Sequence, residues 1–361
     1  MTTRRATVLL LLILAAFRAA AQDARPGTTF IPVPYAFYTP ETSLAGGVIL
    51  MVVHVPEPVN TDARENVYRG GGFVTLKGQA EVFASVDYHT PGSGMRVTAV
   101  GYAARFPNKF FGIGPDASSE EDYVPIECSI DGTLGFPLTS GFFLGPRLRL
   151  FGSWMQQRAA AGALVRGTVA GSDGTALAAP GLRLTWDTRD SAVAPTNGAF
   201  VDLCGSWSFV TFGGASYPSA TLDARAFVSP IPAMIAGRRI VLAAQLTAAW
   251  AGGAPPVQEL PRLGGDELLR GYYDGRYRDN ALLAAQLEIR LPVWWRFGVA
   301  VFGSAGQVAR DPLSFRLDTT KLSGGAGLRF VLDETSGASL RVDVAVGSAG
   351  ADFYLNLGEA F

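Results

Sequence analysis

The sequence predicts an all-β protein, a transmembrane antiparallel β-barrel of about 16 strands that occupies residues 22–361. Three observations predict this fold. The chain begins with the features of an export signal. The rest is rich in apolar residues but has no run long enough for a membrane helix. Long stretches alternate apolar with polar residues, as barrel strands do.

The N-terminal segment 1–21 predicts a signal peptide. Two arginines at 4–5 precede an apolar run at 6–17, and alanines at 19–21 supply small residues for cleavage. The apolar run has about 12 residues, whereas a membrane-spanning helix needs about 20. We therefore expect export, with a mature chain that begins near Gln22.

The composition of the remaining chain favours a membrane barrel. Mean hydropathy is +0.21, hydrophobic residues make up 48% of the chain, and 43 of its 361 residues are glycine. Charged residues or glycines interrupt every apolar run after the signal segment, which argues against a helical membrane protein. In lipid every backbone polar group needs an internal partner, and a closed barrel supplies all of them.

The alternation of apolar and polar residues predicts where the strands lie in the sequence. In AQLEIRL (285–291), Leu287 and Ile289 share one face, whereas Glu288 and Arg290 share the other. The apolar face would contact lipid and the polar face the lumen. The predicted strands are 30–38, 43–54, 69–77, 79–90, 95–106, 121–135, 141–156, 177–188, 198–210, 217–229, 237–250, 280–292, 296–308, 321–332, 338–347 and 351–361.

A soluble β-sandwich would also alternate apolar and polar residues. The length of the strands, the export signal and the tryptophans near strand ends favour the membrane instead, because barrels carry aromatic girdles at both interfaces. These tryptophans are Trp154, Trp186, Trp294 and Trp295. An even number of strands is typical of single-chain bacterial barrels, so we expect the bacterial outer membrane and contact with its lipid.

The stretch FYLNLGEAF (353–361) predicts an amphipathic last strand with a terminal aromatic residue, as outer-membrane barrels usually end. We interpret it as the signal by which the barrel-assembly machinery recognises this chain during its own insertion. The residues of this predicted signal are Phe353, Leu355, Leu357, Gly358 and Phe361.

Two stretches carry a family resemblance. WDTRDSAVAPTNGAF (186–200) is similar to a strand-turn-strand motif, and LGGDELLRGYYDGRYRDN (263–280) to the sixth extracellular loop, of the BamA/TamA superfamily, also called the bacterial surface antigen family. Weaker similarities to this family's barrel are scattered over the whole mature chain. The resemblance implies a sixteen-stranded barrel whose sixth loop folds back into the lumen.

The resemblance also implies which residues of this loop matter. Its core motif is an apolar residue, Arg, Gly and an aromatic residue, which stand here as Leu269, Arg270, Gly271 and Tyr272. The arginine is expected to meet acidic and polar groups of the inner wall, because an unpaired guanidinium inside a barrel is costly. Relatives usually have Asp where this chain has Ser304. The candidate lumen partners of Arg270 are therefore Glu288, an acid on the lumen face of the preceding strand, and Ser304 itself.

The resemblance favours a barrel that inserts or exports other proteins, together with a client protein or a separate periplasmic partner. POTRA modules, which receive client proteins in this family, are not recognised in this sequence, which argues against this function. The alternative is a passive pore or a structural outer-membrane protein, with a lumen rich in paired charges. These two hypotheses about function differ in the role of the loop motif, which takes part in transport in the first and only braces the barrel in the second.

Other functional classes find little support in the sequence. His54 and His89 are its only histidines, and no G-x-S-x-G, H-E-x-x-H or phosphate-loop motif is present, so we expect no enzyme. We also expect no cofactor and no metal site. The net charge of −1 and pI of about 6.2 argue against nucleic-acid binding, which requires a basic bias.

Overall fold

The computed structural model describes residues 27–55, 66–90, 92–231, 234–235, 237–334, 337–348 and 350–361. The predicted signal peptide lies outside them. Within the described residues, sixteen antiparallel strands form one closed barrel, in which each strand pairs with the next and the last with the first. The fold predicted from the sequence is confirmed. None of these residues forms a helix long and apolar enough to cross a lipid bilayer.

The barrel strands are β1 Gly27–Thr39, β2 Ser43–Val55, β3 Asn66–Thr75, β4 Ala80–His89, β5 Arg96–Arg105, β6 Glu121–Thr139, β7 Phe142–Arg158, β8 Gly174–Asp187, β9 Gly198–Phe212, β10 Tyr217–Val228, β11 Val241–Ala251, β12 Ala281–Trp294, β13 Phe297–Ala309, β14 Lys321–Val331, β15 Ser339–Gly347 and β16 Gly350–Leu357. Short elements lie between them at Asn108–Phe110, Met234–Ile235, Arg238–Arg239, Arg262–Leu263, Leu317–Thr319 and Tyr277–Arg278. The alternation therefore located each barrel strand to within a few residues.

The start of one strand was predicted too early. The predicted strand 237–250 begins later, at Val241, because Arg238–Arg239 pairs with Met234–Ile235 in a separate small hairpin. Both halves of this hairpin lie in the connection between β10 and β11.

The two faces of the wall differ as the alternation predicts. On β12, Leu287 is 66% exposed, whereas its neighbour Glu288 is 1% exposed and faces inward. Exposed tryptophans lie near both ends of the barrel, with Trp154 near one end and Trp186 and Trp294 near the other. This pattern is typical of an apolar band between two aromatic girdles.

The barrel has two distinct ends. The long connection 252–280, which we call the plug loop, leaves β11 and enters β12 at one end, the plug end. Since adjacent strands are antiparallel, the start of β1 and the finish of β16 both lie at the opposite end, the terminal end.

The barrel closes between β1 and β16 through very little backbone pairing. β1 faces β2 along its whole length, from Gly27 to Thr39. It faces β16 at one register pair among the described residues, Tyr38 with Leu355. We call this junction the seam. It is the place where the fewest backbone hydrogen bonds hold neighbouring barrel strands together.

The end of the chain departs from the prediction of a strand over 351–361. β16 ends at Leu357, and Gly358 turns the chain with a φ of +83°, which favours glycine. Residues 358–361, the tail, enter the lumen. There Phe361 is buried beside Phe227 and Ala243 of the opposite wall. Phe361 therefore does not contribute to a lipid-facing aromatic girdle.

Candidate functional site

The plug loop enters the lumen as a hairpin. Arg262–Leu263 pairs with Tyr277–Arg278, and a bridge between Gly265 and Leu269 tightens the chain between them. Apolar side chains of the hairpin pack on the inner wall in one buried cluster. Its members are Leu263, Leu269, Tyr272 and Tyr277 of the loop and Leu282, Ala284 and Val308 of the wall. Leu269, the first motif residue, is thus an anchor in the apolar part of this interface.

Arg270 lies in the lumen against the inner wall and is completely buried. Its Nη2 is 2.8 Å from Oε2 of Glu288 on β12, and its Nη1 is 2.6 Å from Oδ2 of Asp343 on β15. Both carboxylates are also fully buried. Charge-assisted hydrogen bonds of this length are the strong class, and burial makes them sensitive to the loss of either partner.

One of the two strands between these acids, β13, contributes an aromatic ring. Cζ of Arg270 lies 3.4 Å from the ring centroid of Phe302 on β13, so the guanidinium stacks on this face. Ser304, on the same strand, is buried, but its Oγ forms no hydrogen bond within the described residues. Arg270 therefore takes its second carboxylate from β15, and Ser304 is not its partner.

The ion pairs of Arg270 belong to a larger cluster. Two wall arginines bind the acids that hold Arg270. Nε of Arg290 is 2.8 Å from the Glu288 carboxylate, and Nη1 of Arg329 is 2.5 Å from the Asp343 carboxylate. The full cluster, which we call the lumen charge cluster, consists of Arg270, Arg290, Arg329, Arg341, Asp266, Glu288, Asp343 and Glu359. Four arginines balance four acids, so the cluster carries no net charge.

Gly271 allows the loop backbone to approach the wall closely. Its φ is +93°, and a Cβ at this position would come within 2.8 Å of the backbone nitrogen of Gly347. Its N–H donates a 2.9 Å hydrogen bond to the hydroxyl of Tyr354 on β16. Only glycine satisfies both the backbone conformation and the space.

Tyr272 continues this contact along the same side of the barrel. Its hydroxyl oxygen accepts a 2.9 Å hydrogen bond from the N–H of Ser348, in the turn between β15 and β16, and lies 3.1 Å from the carbonyl oxygen of Leu322 on β14. The motif residues 270–272 are thus held by five consecutive strands, β12 to β16, and by the turn before β16.

The tip of the plug loop contacts the other side of the seam. The N–H of Asp274 donates a 2.6 Å hydrogen bond to Oε1 of Glu41, in the turn between β1 and β2. Burial raises the pKa of the Glu41 carboxyl, and the nearby Asp274 carboxylate adds to this effect. The plug loop therefore binds next to β1 through Glu41 and binds β16 through Tyr354.

Other contacts fix the rest of the loop. Nη2 of Arg278 donates to the hydroxyl of Tyr123 on β6 at 3.1 Å. Arg149 of β7 pairs with Glu259 of the loop at 2.7 Å, and the hydroxyl of Tyr217 on β10 donates to the same carboxylate. The loop thus has polar anchors on several sides of the barrel, on β6, β7 and β10 as well as on β12 to β16.

The wall beside the plug is polar but internally paired. Arg147 pairs with Asp131, Arg183 with Asp202 at 2.7 Å and Arg225 with Asp223 at 2.6 Å. These pairs satisfy one another across or along neighbouring strands. No group of His, Cys, Asp or Glu in the described part of the chain could hold a metal ion.

The structure brings together residues that sequence reasoning did not connect. Asp343, Phe302 and the Asp266–Arg341 pair all contribute to holding the loop. Each wall residue among them lies on the lumen face of its strand, so alternation identifies them as candidates. Alternation alone does not say which lumen residue the folded loop reaches.

The model of the Omp85 superfamily domain matches residues 130–361. No curated protein matches the chain. Among solved structures, 82 chains match. One is the crystal structure of BamA from Haemophilus ducreyi lacking POTRA domains 1-3, with a TM-score of 0.59 and 14% identity over 92% of this chain and 70% of that chain.

Two further matches are structures of CdiB. The one from Acinetobacter baumannii has a TM-score of 0.56 and 13% identity over 94% of this chain and 61% of that chain. The one from Escherichia coli has a TM-score of 0.57 and 12% identity over 93% and 63%. The chain thus spans less than two thirds of either CdiB chain. At such identities the likeness shows the fold alone.

Proposed function

The chain belongs to the Omp85 superfamily and is a bacterial outer-membrane β-barrel, and from this premise we propose that it assists the insertion or translocation of other proteins at that membrane. The observation that carries the proposal is the seam. One register pair joins β1 to β16, whereas neighbouring barrel strands elsewhere pair over most of their length. A client strand or segment would therefore enter the wall most easily here.

The plug loop supports a lateral rather than an axial route. It is anchored to carboxylates of the inner wall by Arg270 and fixed beside both seam strands by Glu41 and Tyr354. A passage straight through the lumen would require the loss of buried ion pairs, and breaking one such pair costs about 3–5 kcal/mol. Opening the wall at the seam breaks one register pair between β1 and β16.

We further propose that an exported client protein, or a separate periplasmic protein that delivers it, is the partner. No catalytic role is proposed, and no cofactor is required, since the work consists of exchanging backbone hydrogen bonds between strands. A strand edge that gains a partner satisfies its own N–H and C=O groups, which is favourable in lipid.

A seam lock tests the proposal. Directly opposite residues of an antiparallel pair have Cα atoms about 4.5–5.5 Å apart, which a disulfide can bridge. Tyr38→Cys with Leu355→Cys, in a background in which Cys128 and Cys204 are serine, should cross-link the seam. We expect the oxidised variant to lower the abundance of other proteins in the outer-membrane or secreted fraction, and the reduced variant to leave it unchanged. Quantitative proteomics of the outer-membrane and secreted fractions measures this abundance.

The matched control is a lock between strands that are already fully paired. Leu184→Cys with Leu203→Cys joins β8 to β9 at an established register pair. This lock should leave both protein fractions unchanged. If the seam lock also changes neither fraction, the proposal is wrong.

The alternative is a passive pore or a structural outer-membrane protein. The paired charges of the wall and the many anchors of the plug loop favour a bracing role for the loop. Conductance in planar bilayers distinguishes the two. A large steady conductance supports a pore, whereas near closure with brief openings supports a plugged barrel.

A further inference from the structure

Two prolines of β1 limit how far the seam can pair. β1 contains Pro32 and Pro34 and still pairs with β2 across both. Proline has no N–H to donate, so it is tolerated in a sheet where its nitrogen faces away from the paired neighbour. Both nitrogens must therefore face the seam. In an antiparallel strand alternate residues face the same edge, so Tyr38, which pairs with Leu355, faces the seam as well.

The register shows what these prolines prevent. If the Tyr38–Leu355 register continued, Ala36 would face Leu357, and then Pro34 would face Glu359 and Pro32 would face Phe361. Each of the last two pairs would lack an N–H donor. The backbone carbonyl groups of residues 359 and 361 would then lie unpaired in lipid, where each unsatisfied group costs several kcal/mol. Pairing beyond Leu357 is therefore unfavourable.

The lumen offers the tail a better environment. After the turn at Gly358, Oε2 of Glu359 lies 2.7 Å from Nε of Arg329 and 3.7 Å from Nε of Arg290. The carbonyl oxygen of Phe361 accepts a 2.9 Å hydrogen bond from Nη2 of Arg290, and its ring packs 6.3 Å from that of Phe227. The groups that would be unpaired at the seam thus find partners inside.

The same two arginines hold the wall acids that anchor the plug loop. Arg329 binds Asp343 as well as Glu359, and Arg290 binds Glu288 as well as Glu359. Without the Glu359 carboxylate, three arginines, counting Arg270, would share two acids. Arg290 and Arg329 would then compete with Arg270 for both carboxylates.

We propose that residues 358–361 are a latch: Pro32 and Pro34 keep the terminal-end part of the seam unpaired and direct the tail to the lumen arginines, and withdrawal of the tail loosens the anchor of Arg270. The seam and the plug loop are thereby coupled through Glu359. This inference does not depend on what the barrel inserts or transports.

Two cysteine pairs report the position of the tail, again in a background with serine at 128 and 204. Ala243→Cys with Ala360→Cys joins residues of the one buried cluster and reports the latched tail. Val33→Cys with Ala360→Cys joins residues that would be opposite if the register continued, and reports a tail paired along β1. One short thiol cross-linker serves both pairs.

With the prolines present, we expect the first pair to cross-link and the second to remain free. The double variant Pro32→Val, Pro34→Val restores two donors and should raise the ratio of the second product to the first by roughly tenfold. Efficient cross-linking of the second pair with both prolines in place would overturn the inference, as would an unchanged ratio in the double variant. Heat-modifiability on gels shows that each variant is folded.

The coupling to the plug is tested with the prolines intact, so it does not depend on how the double variant folds. Glu359→Gln should increase the rate of tryptic cleavage after Arg276 and Arg278 several-fold. The control is Glu334→Gln, at the same end of the barrel, where Glu334 is exposed and pairs with Arg296 outside the cluster. Equal cleavage rates in the two variants would contradict the coupling.

Discussion

Arg270 and Asp343 lie 73 residues apart in the sequence and form a 2.6 Å ion pair in which neither side chain is exposed to solvent. One belongs to the plug loop and the other to β15, the strand next to the seam strand β16. The pair therefore ties the position of the loop to the part of the wall where the barrel closes. Glu288 completes the arrangement from β12.

Replacing Arg270 with alanine should release the plug loop. The substitution leaves the carboxylates of Glu288 and Asp343 buried with one cation fewer, and breaking a buried pair by removing one partner costs about 3–5 kcal/mol. We expect faster tryptic cleavage after Arg276 and Arg278 and a lower temperature of heat-modification on gels. The control is Arg166→Ala, an exposed arginine of the connection between β7 and β8, which should change neither.

The prediction for Arg270 has a clear contrary result. Cleavage and heat-modification equal to those of the unaltered protein would mean that the apolar cluster around Leu269 and Tyr272 holds the loop without the ion pairs. In that case the motif arginine would have no role in bracing the barrel.

The fold could be predicted because every strand of a barrel shows a local alternation of lipid-facing apolar and lumen-facing polar residues. Leu287 and Glu288 reveal their opposite environments by alternation alone, and the same holds for each strand in turn. Glu288 could be chosen as a candidate partner because it lies on the lumen face of the strand that follows the loop. The family motif supplied the loop residues themselves.

The remaining parts of the site depend on distant geometry. Asp343 approaches Arg270 only after the barrel has closed and the loop has folded inward, and no local pattern encodes either event. The inward turn at Gly358 was missed for a similar reason, since FYLNLGEAF alternates as a strand does. The decisive signal was on another strand, in Pro32 and Pro34, and it acts through the register across the seam.

Double-mutant cycles should show that Glu288 and Asp343 both couple to Arg270. Contacting residues in one charged network have interaction energies of about 0.5–3 kcal/mol. We expect values in this range for Arg270→Ala combined with Glu288→Gln or with Asp343→Asn, from urea unfolding in detergent. Ser304→Ala serves as the comparison. It should be additive with Arg270→Ala, and strong coupling there would mean that Ser304 binds the arginine.

A lower pH should stabilise the docked tip of the plug loop at Glu41. Burial raises the pKa of Glu41, so the docked loop binds a proton at this carboxyl more readily than the undocked loop. A raised pKa contributes stability that is complete below the ordinary glutamate value and is lost as the pH rises through the raised value. We expect tryptic cleavage of the loop, corrected for trypsin activity, to accelerate as the pH rises above that ordinary range.

Glu41→Gln provides the check on this assignment. Glutamine stays neutral and can still accept a hydrogen bond from the N–H of Asp274. The variant should therefore keep the slow cleavage of the acidic range at higher pH. A pH dependence that survives in Glu41→Gln would assign the effect to another group.

Gly271→Ala should displace the motif from the wall. The substitution places a methyl group 2.8 Å from the backbone nitrogen of Gly347 at a φ of +93°, and residues held in such conformations cost about 1–3 kcal/mol. Gly253→Ala is a matched control in the same loop, because φ is +66° there but a Cβ would meet nothing within 4 Å. Equal loss of plug protection in the two variants would attribute the effect to backbone conformation alone. A larger loss in Gly271→Ala, together with loss of hydrogen-exchange protection of the backbone amide at position 271, would establish that close contact with β15 and the Tyr354 hydroxyl holds the loop beside the seam.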